Sequence, residues 1–151
     1  MTKIKNNIKL ICVFIITIII SCLLVKYSLI SIEKIIELAD DFQYNIISMS
    51  SIIGGFLFTG VGILISAIDK ERVKRLWENN YLDNLYKASF IGMISNVVTI
   101  LSALTVLCCT VNKKLSTILY YVEIASLILG IVFFIWSIKQ LIFIISRLKS
   151  D

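Results

Sequence analysis

The chain has 151 residues, 58% hydrophobic and 17% charged, with a formal net charge of +5, where a soluble domain averages about 45–50% apolar and about 25% charged. Its apolar residues are gathered into uncharged blocks as long as a bilayer core is thick, which excludes an ordinary water-soluble fold. With no histidine in the chain, Ser-His-Asp and Cys-His nucleophiles, the zincin helix and His-ligated metals are excluded as well.

The first uncharged run, Leu10 to Val25, lies between Lys9 and Lys26, whose flexible stems can carry their ammonium groups to the headgroups; the span is placed at 8–27. A basic start followed by an apolar run also begins secretory signals. Ile19, Ile20, Ser21 and Cys22 loosely resemble a lipoprotein lipobox, which would make Cys22 a lipidation site. Against this, Leu23, Leu24 and Val25 continue the apolar run where a mature lipoprotein turns polar.

A connection at 28–45 follows, expected outside the cell. In it Ile32, Ile35, Ile36 and Phe42 alternate with Glu33, Glu37, Asp40 and Asp41 at spacings that make one apolar helical face. With Ser31 as N-cap, this amphipathic segment lies flat on the interface, either as a connector or as an acidic partner surface.

The second span, 46–68, is 23 uncharged residues, about 35 Å of helix against a hydrocarbon core of about 30 Å. Along it Ser48, Ser51, Gly55, Thr59, Gly62 and Ser66 recur every three or four residues. Such a stripe lets another backbone approach closely, and it is expected to pack within the bundle, pack between protomers, or line a polar path.

The loop at 69–87 carries Lys70, Arg72, Lys74, Arg75 and Lys87. It reads as an interfacial elbow anchored by Trp77, Tyr81 and Tyr86, whose rings and polar tips suit the headgroup layer. Anionic headgroups account for its charge. Neither a phosphate-cradling glycine loop nor an aromatic platform is visible, so nucleic acid is not an expected partner.

The third span, 88–111, carries a companion stripe of Ala88, Gly92, Ser95, Thr99, Ser102 and Cys109, with Asn96 beside it. The second and third helices are therefore expected to be close antiparallel neighbours. Asn96, about eight residues from one end, is expected to bond across helices. The fourth span, 115–138, continues into an apolar tail, Leu141, Ile144, Ile145 and Leu148, that either prolongs the helix or lies on the inner leaflet.

Glu123 in the fourth span is the sharpest feature, because an acid inside a membrane helix costs a few kcal/mol and usually faces protein or a hydrated cavity. It shares a face with Ser126, Gly130 and Ser137. Counting about 12 Å from the outer ends sets Gly54 and Gly55, Ser102 and Ala103, and Thr17 at its depth. Glu123, Ser102 and Thr17, together with Asn96, thus form the candidate intramembrane polar site. Asn96 counts from the inner end and is not expected to partner Glu123 directly unless one helix is shifted by two turns. The bland alternative is a neutral Glu123 bonding a backbone carbonyl or reaching Lys113, Lys114 or Tyr120.

The cysteines, Cys12, Cys22, Cys108 and Cys109, lack C-x-x-C spacing and read as small packing residues. With four spans, eleven Lys and Arg fall on one side and four on the other, which sets both termini in the cytoplasm.

The expected fold is all-α: a polytopic, four-transmembrane-helix bundle in the cell membrane with amphipathic connections, a single domain over 1–151. Abundant Ile, Lys and Asn suggest an A+T-rich bacterial source. No enzyme activity, cofactor or metal is expected. The partners are the lipid bilayer and either further copies of the chain or another membrane protein. The expected function is assembly through small-residue faces into an oligomeric pore or ion pathway; the alternative is an accessory, immunity or defence-type subunit that binds another membrane protein or toxin.

Overall fold

Long runs of Ile, Leu, Val and Phe without proline have one economical backbone solution in an apolar solvent, the helix, which satisfies its own amide groups. A computed structural model describes residues 2–26, 39–66, 81–108 and 112–150, and within them the protein is all-helical. Helix α1 is Thr2–Lys26, α2 is Ala39–Ser66, α3 is Tyr81–Cys108 and α4 is Lys113–Ser150.

Three helices contain stretches long and apolar enough to cross a membrane: Asp41–Ser66, Leu82–Cys108 and Lys114–Ser146. In α1 the corresponding stretch is shorter, Leu10–Ser21. The expected spans open at 46 and 88, but α2 and α3 each begin seven residues earlier. Helix α4 has 38 residues, about 57 Å at 1.5 Å per residue, so the apolar tail prolongs it. The segments expected around Ile32 and around Trp77, including Ser31 as a cap, lie outside the described residues.

Three apolar clusters define the packing. Leu64 near the end of α2 meets Leu82 and Leu85 at the start of α3 and Leu141 and Ile144 late in α4. At the other end Phe42 of α2 meets Val106 of α3 and Tyr120 and Ile124 of α4. Between them Leu10 and Val13 of α1 pack on Ala88 and Ile91 of α3 and on Leu129, Phe133 and Trp136 of α4. Helices α2, α3 and α4 therefore run antiparallel in turn, and α4 finishes at the end of the bundle where α2 finishes. The α3–α4 seam is the most extensive; α2 lies mainly on α3, and α1 mainly on α4.

Which side chains are buried and which exposed reverses the rule for water. Phe56, Phe58, Ile63, Phe90 and Ile142 are all more than 60% exposed, while Gln43, Ser50, Asn96, Thr99 and Glu123 are almost completely buried. In water an outward apolar shell of this size would drive aggregation; in hydrocarbon it costs nothing, and polar groups turn inward to find partners.

Replacing Phe133, which is fully buried, by Ala leaves a cavity among α1, α3 and α4 and is expected to cost about 3 kcal/mol. Phe56→Ala, at a 65% exposed site, should cost about 0.5 kcal/mol or less. Detergent unfolding curves of the two variants check the pair; equal costs would mean that the inward face has been misassigned.

Candidate functional site

The α3–α4 seam is built from small and polar residues, with Phe133 as the one large apolar member, that repeat every seven positions on both helices. Along α3 these are Ser89, Gly92, Asn96, Thr99 and Ala103, and along α4 Glu123, Ser126, Gly130, Phe133 and Ser137, all buried. Alternating steps of three and four keep each set on one helical face, so the two antiparallel faces meet rung by rung.

At one rung Ser89 Oγ donates to Ser137 Oγ at 3.2 Å, and Ser137 Oγ donates onward to Phe133 O at 2.8 Å. At another, Thr99 Oγ1 and Ser126 Oγ are 2.8 Å apart. Each of these hydroxyls also has a carbonyl in reach on its own helix: Ser95 O at 3.0 Å from Thr99 and Glu123 O at 3.0 Å from Ser126. A hydroxyl has one proton to give, so one of the two bonds across the seam while the other bonds back along its helix.

Between these rungs Asn96 faces Gly130. Its Nδ2 donates to Gly92 O of its own helix at 2.8 Å, so the expected interhelical bond is made within α3. The side chain is still an interhelical element by shape: a Cβ on Gly130 would lie 2.7 Å from Asn96 Nδ2, and one on Gly54 of α2 would lie 3.6 Å from Asn96 Cβ. Gly92 occupies the junction of three helices, where a Cβ would come within 2.8 Å of Leu57 Cδ1 and 3.4 Å of Phe133 Cβ.

Glu123 is fully buried and is met by a side chain absent from the expected site. Gln43 of α2, also fully buried, donates Nε2 to Glu123 Oε2 at 3.0 Å. The remaining oxygens of the pair, Gln43 Oε1 and Glu123 Oε1, have no hydrogen-bond partner; Ser50 Oγ and Asn96 Oδ1 are in the same condition. Gln43 stood in a stretch read as an extracellular connection. Its signal was the series Gln43, Ile46, Ser50, Ile53 and Leu57, which is spaced as one helical face and is buried throughout.

The other expected site residues are dispersed. Thr17 is buried in α1 and donates to Val13 O at 2.8 Å, a local bond that leaves it outside the Glu123 pair. Ser102 is buried on α3 one turn beyond Thr99, at the depth of Glu123 by the Thr99–Ser126 register. Tyr86 packs at the edge of the Leu82–Leu85–Ile144 cluster, Tyr81 opens α3, and Trp77 lies outside the described residues.

Of the roles expected for the α2 stripe, packing inside the bundle is not realised. Ser48, Ser51, Gly55, Thr59, Gly62 and Ser66 are all exposed, and a Cβ on Gly55 or Gly62 would meet nothing within 4 Å. It is the opposite face of α2, from Gln43 to Leu57, that packs on α3 and α4. Among the described residues the stripe is therefore an outward surface and does not form the α2–α3 seam. An open apolar groove of about 510 Å³ lies between α1 and α3, with Lys87 at its rim paired to Asp83 at 2.9 Å. Among the described residues no three His, Cys, Asp or Glu side chains come together.

Compared with known proteins, the chain matches no family model, and neither the curated proteins nor the solved structures give a match.

Gly130→Ala must displace the Asn96 amide and so break its bond to Gly92 O, whereas Gly92→Ala presses hardest on the mobile tip of Leu57. After the helix-propensity gain common to both, of about 1 kcal/mol, Gly130→Ala should cost about 1–3 kcal/mol and Gly92→Ala less. Unfolding of both variants in the same detergent ranks them; the reverse order would contradict the packing described at Asn96.

Proposed function

We propose that this chain is a small, non-enzymatic, multi-pass membrane protein whose copies assemble through the outward small-residue face of α2. The observation that carries the reading is the row Ser48, Ser51, Gly55, Thr59, Gly62 and Ser66, exposed along the later two-thirds of α2. Between helices in lipid, apolar burial gives little net drive; association comes from close backbone approach, dispersion contacts and hydroxyl bonding. Small side chains with open space above them supply all three to a second helix.

In this reading α1 joins α2, α3 and α4 in crossing the bilayer. Leu10 to Val25 gives about 24 Å of uncharged helix. Four crossings would put both chain ends on one side of the bilayer, and the Lys and Arg asymmetry puts that side in the cytoplasm. An ion pathway, where one forms, runs between copies along the hydroxyls of Ser48, Ser51, Thr59 and Ser66, because the α3–α4 seam inside each copy is filled by its own side chains. The alternative, an accessory or immunity-type subunit, would present the same α2 face to a different membrane protein.

The test is stoichiometry in mild detergent by light scattering, paired with ion flux into liposomes. Wild type is expected to be oligomeric, and Gly55→Leu and Gly62→Leu are expected to yield monomers that keep wild-type helix content and lose only the concentration-dependent part of thermal stability, because nothing inside the bundle touches those positions. A monomeric wild type without flux would overturn assembly and favour the partner-binding alternative.

A further inference from the structure

The hydrogen bond between Gln43 and Glu123 leaves a specific deficit. Both side chains are fully buried, one bond joins Gln43 Nε2 to Glu123 Oε2 at 3.0 Å, and the two oxygens left over, Gln43 Oε1 and Glu123 Oε1, are both unpartnered. An amide carbonyl and a carboxylate oxygen are both pure acceptors, so an ionised Glu123 leaves both orphaned and buries an uncompensated charge. Each such group costs free energy in a medium without water.

A single proton removes the whole deficit. A carboxyl carrying hydrogen on Oε1 presents one donor and one acceptor side by side, and a primary amide presents the complementary acceptor and donor. We propose that Gln43 and Glu123 form a proton-binding site. Glu123 holds a proton on Oε1 and donates it to Gln43 Oε1, while Gln43 Nε2 donates to Glu123 Oε2, closing a cyclic acid–amide pair that ties the start of α2 to α4. The chemistry is a binding equilibrium: carboxylate plus a proton from water gives the carboxyl, the charge goes from −1 to zero, and no other covalent bond changes.

The surroundings favour a proton over a metal ion. Among the described residues no Lys or Arg pairs with Glu123. On α4 the nearest titratable side chains are Tyr120, buried against Phe42, and Tyr121, which is exposed; Lys114 lies farther toward the helix start and is exposed. On α2, Asp41 and Tyr44 flank Gln43 and are exposed. Helix α3 brings Ser102, Ala103 and Val106 to this level, none of them titratable, and the buried polar groups of α1 are Thr17 and Ser21. A hard cation needs about six oxygens or more, and the pair offers far fewer.

The site lies within one copy of the chain, so it stands or falls apart from the assembly reading. The test is infrared spectroscopy of the full chain in bilayers at neutral pH, with thermal unfolding followed as pH is raised. The expected spectrum contains a protonated-carboxyl carbonyl band that Glu123→Gln removes and that Gln43→Leu shifts to higher frequency without abolishing.

Glu123→Gln, whose amide can replace the acid in the ring, is expected to unfold near the wild-type temperature at neutral pH. Wild type should then fall by about 2–4 °C in alkaline medium, where the proton is lost, and Glu123→Gln should not. The proposal is overturned by a neutral-pH spectrum with no carboxyl band sensitive to Glu123→Gln, by an unshifted band in Gln43→Leu, or by equal alkaline loss in both proteins. Sodium or lithium removing the carboxyl band at fixed pH would also overturn it, in favour of a cation site.

Discussion

In hydrocarbon, one apolar side chain gains little by exchanging lipid for another apolar side chain, so the arrangement of helices falls to close contact and to polar groups that lipid cannot satisfy. In this protein that constraint selects the α3–α4 seam. Ser89 meets Ser137, Thr99 meets Ser126, and Asn96 meets the bare backbone of Gly130. The glycine is required there because any Cβ would collide with the amide plane, and the amide in turn is held by Gly92 O. Leu10, Val13, Leu57 and Phe133 then fill the space around a seam whose register is already set.

Helix α2 divides the same constraint between two faces. The inner one, from Gln43 to Leu57, brings a carboxamide to the buried acid of α4 and Gly54 to Asn96. The outer one offers serines, a threonine and glycines to whatever lies beyond the bundle. A helix with small residues on one side and a polar anchor on the other is suited to join one copy of the bundle to the next while staying fixed to its own. That suitability is what makes assembly the favoured reading of function.

Much of this was legible in the residues, and the misses share a cause. The apolar runs mark the helices because hydropathy reports the solvent directly, and the single acid of the fourth run marks the face that carries Ser126, Gly130 and Ser137. Helix starts were less legible: Ala39–Asn45 and Tyr81–Lys87 are polar enough to read as connections, yet they continue the helices into the bundle. Gln43 was hidden by that same reading. The inward face of α2 was illegible for a different reason, since its small-residue stripe and its buried face are both compatible with a partner. In lipid, hydrophobicity does not distinguish the two.

The central claim is that the polar rungs between α3 and α4 hold the bundle together, and a double-mutant cycle at Thr99 and Ser126 tests it most directly. Thr99→Val, Ser126→Ala and the double variant would be unfolded in the same bilayer-mimetic medium. The account predicts a coupling of about 0.6 kcal/mol or more in favour of the native pair, the range measured for hydroxyl and amide partners in membrane helices. Strict additivity of the two single losses would contradict it.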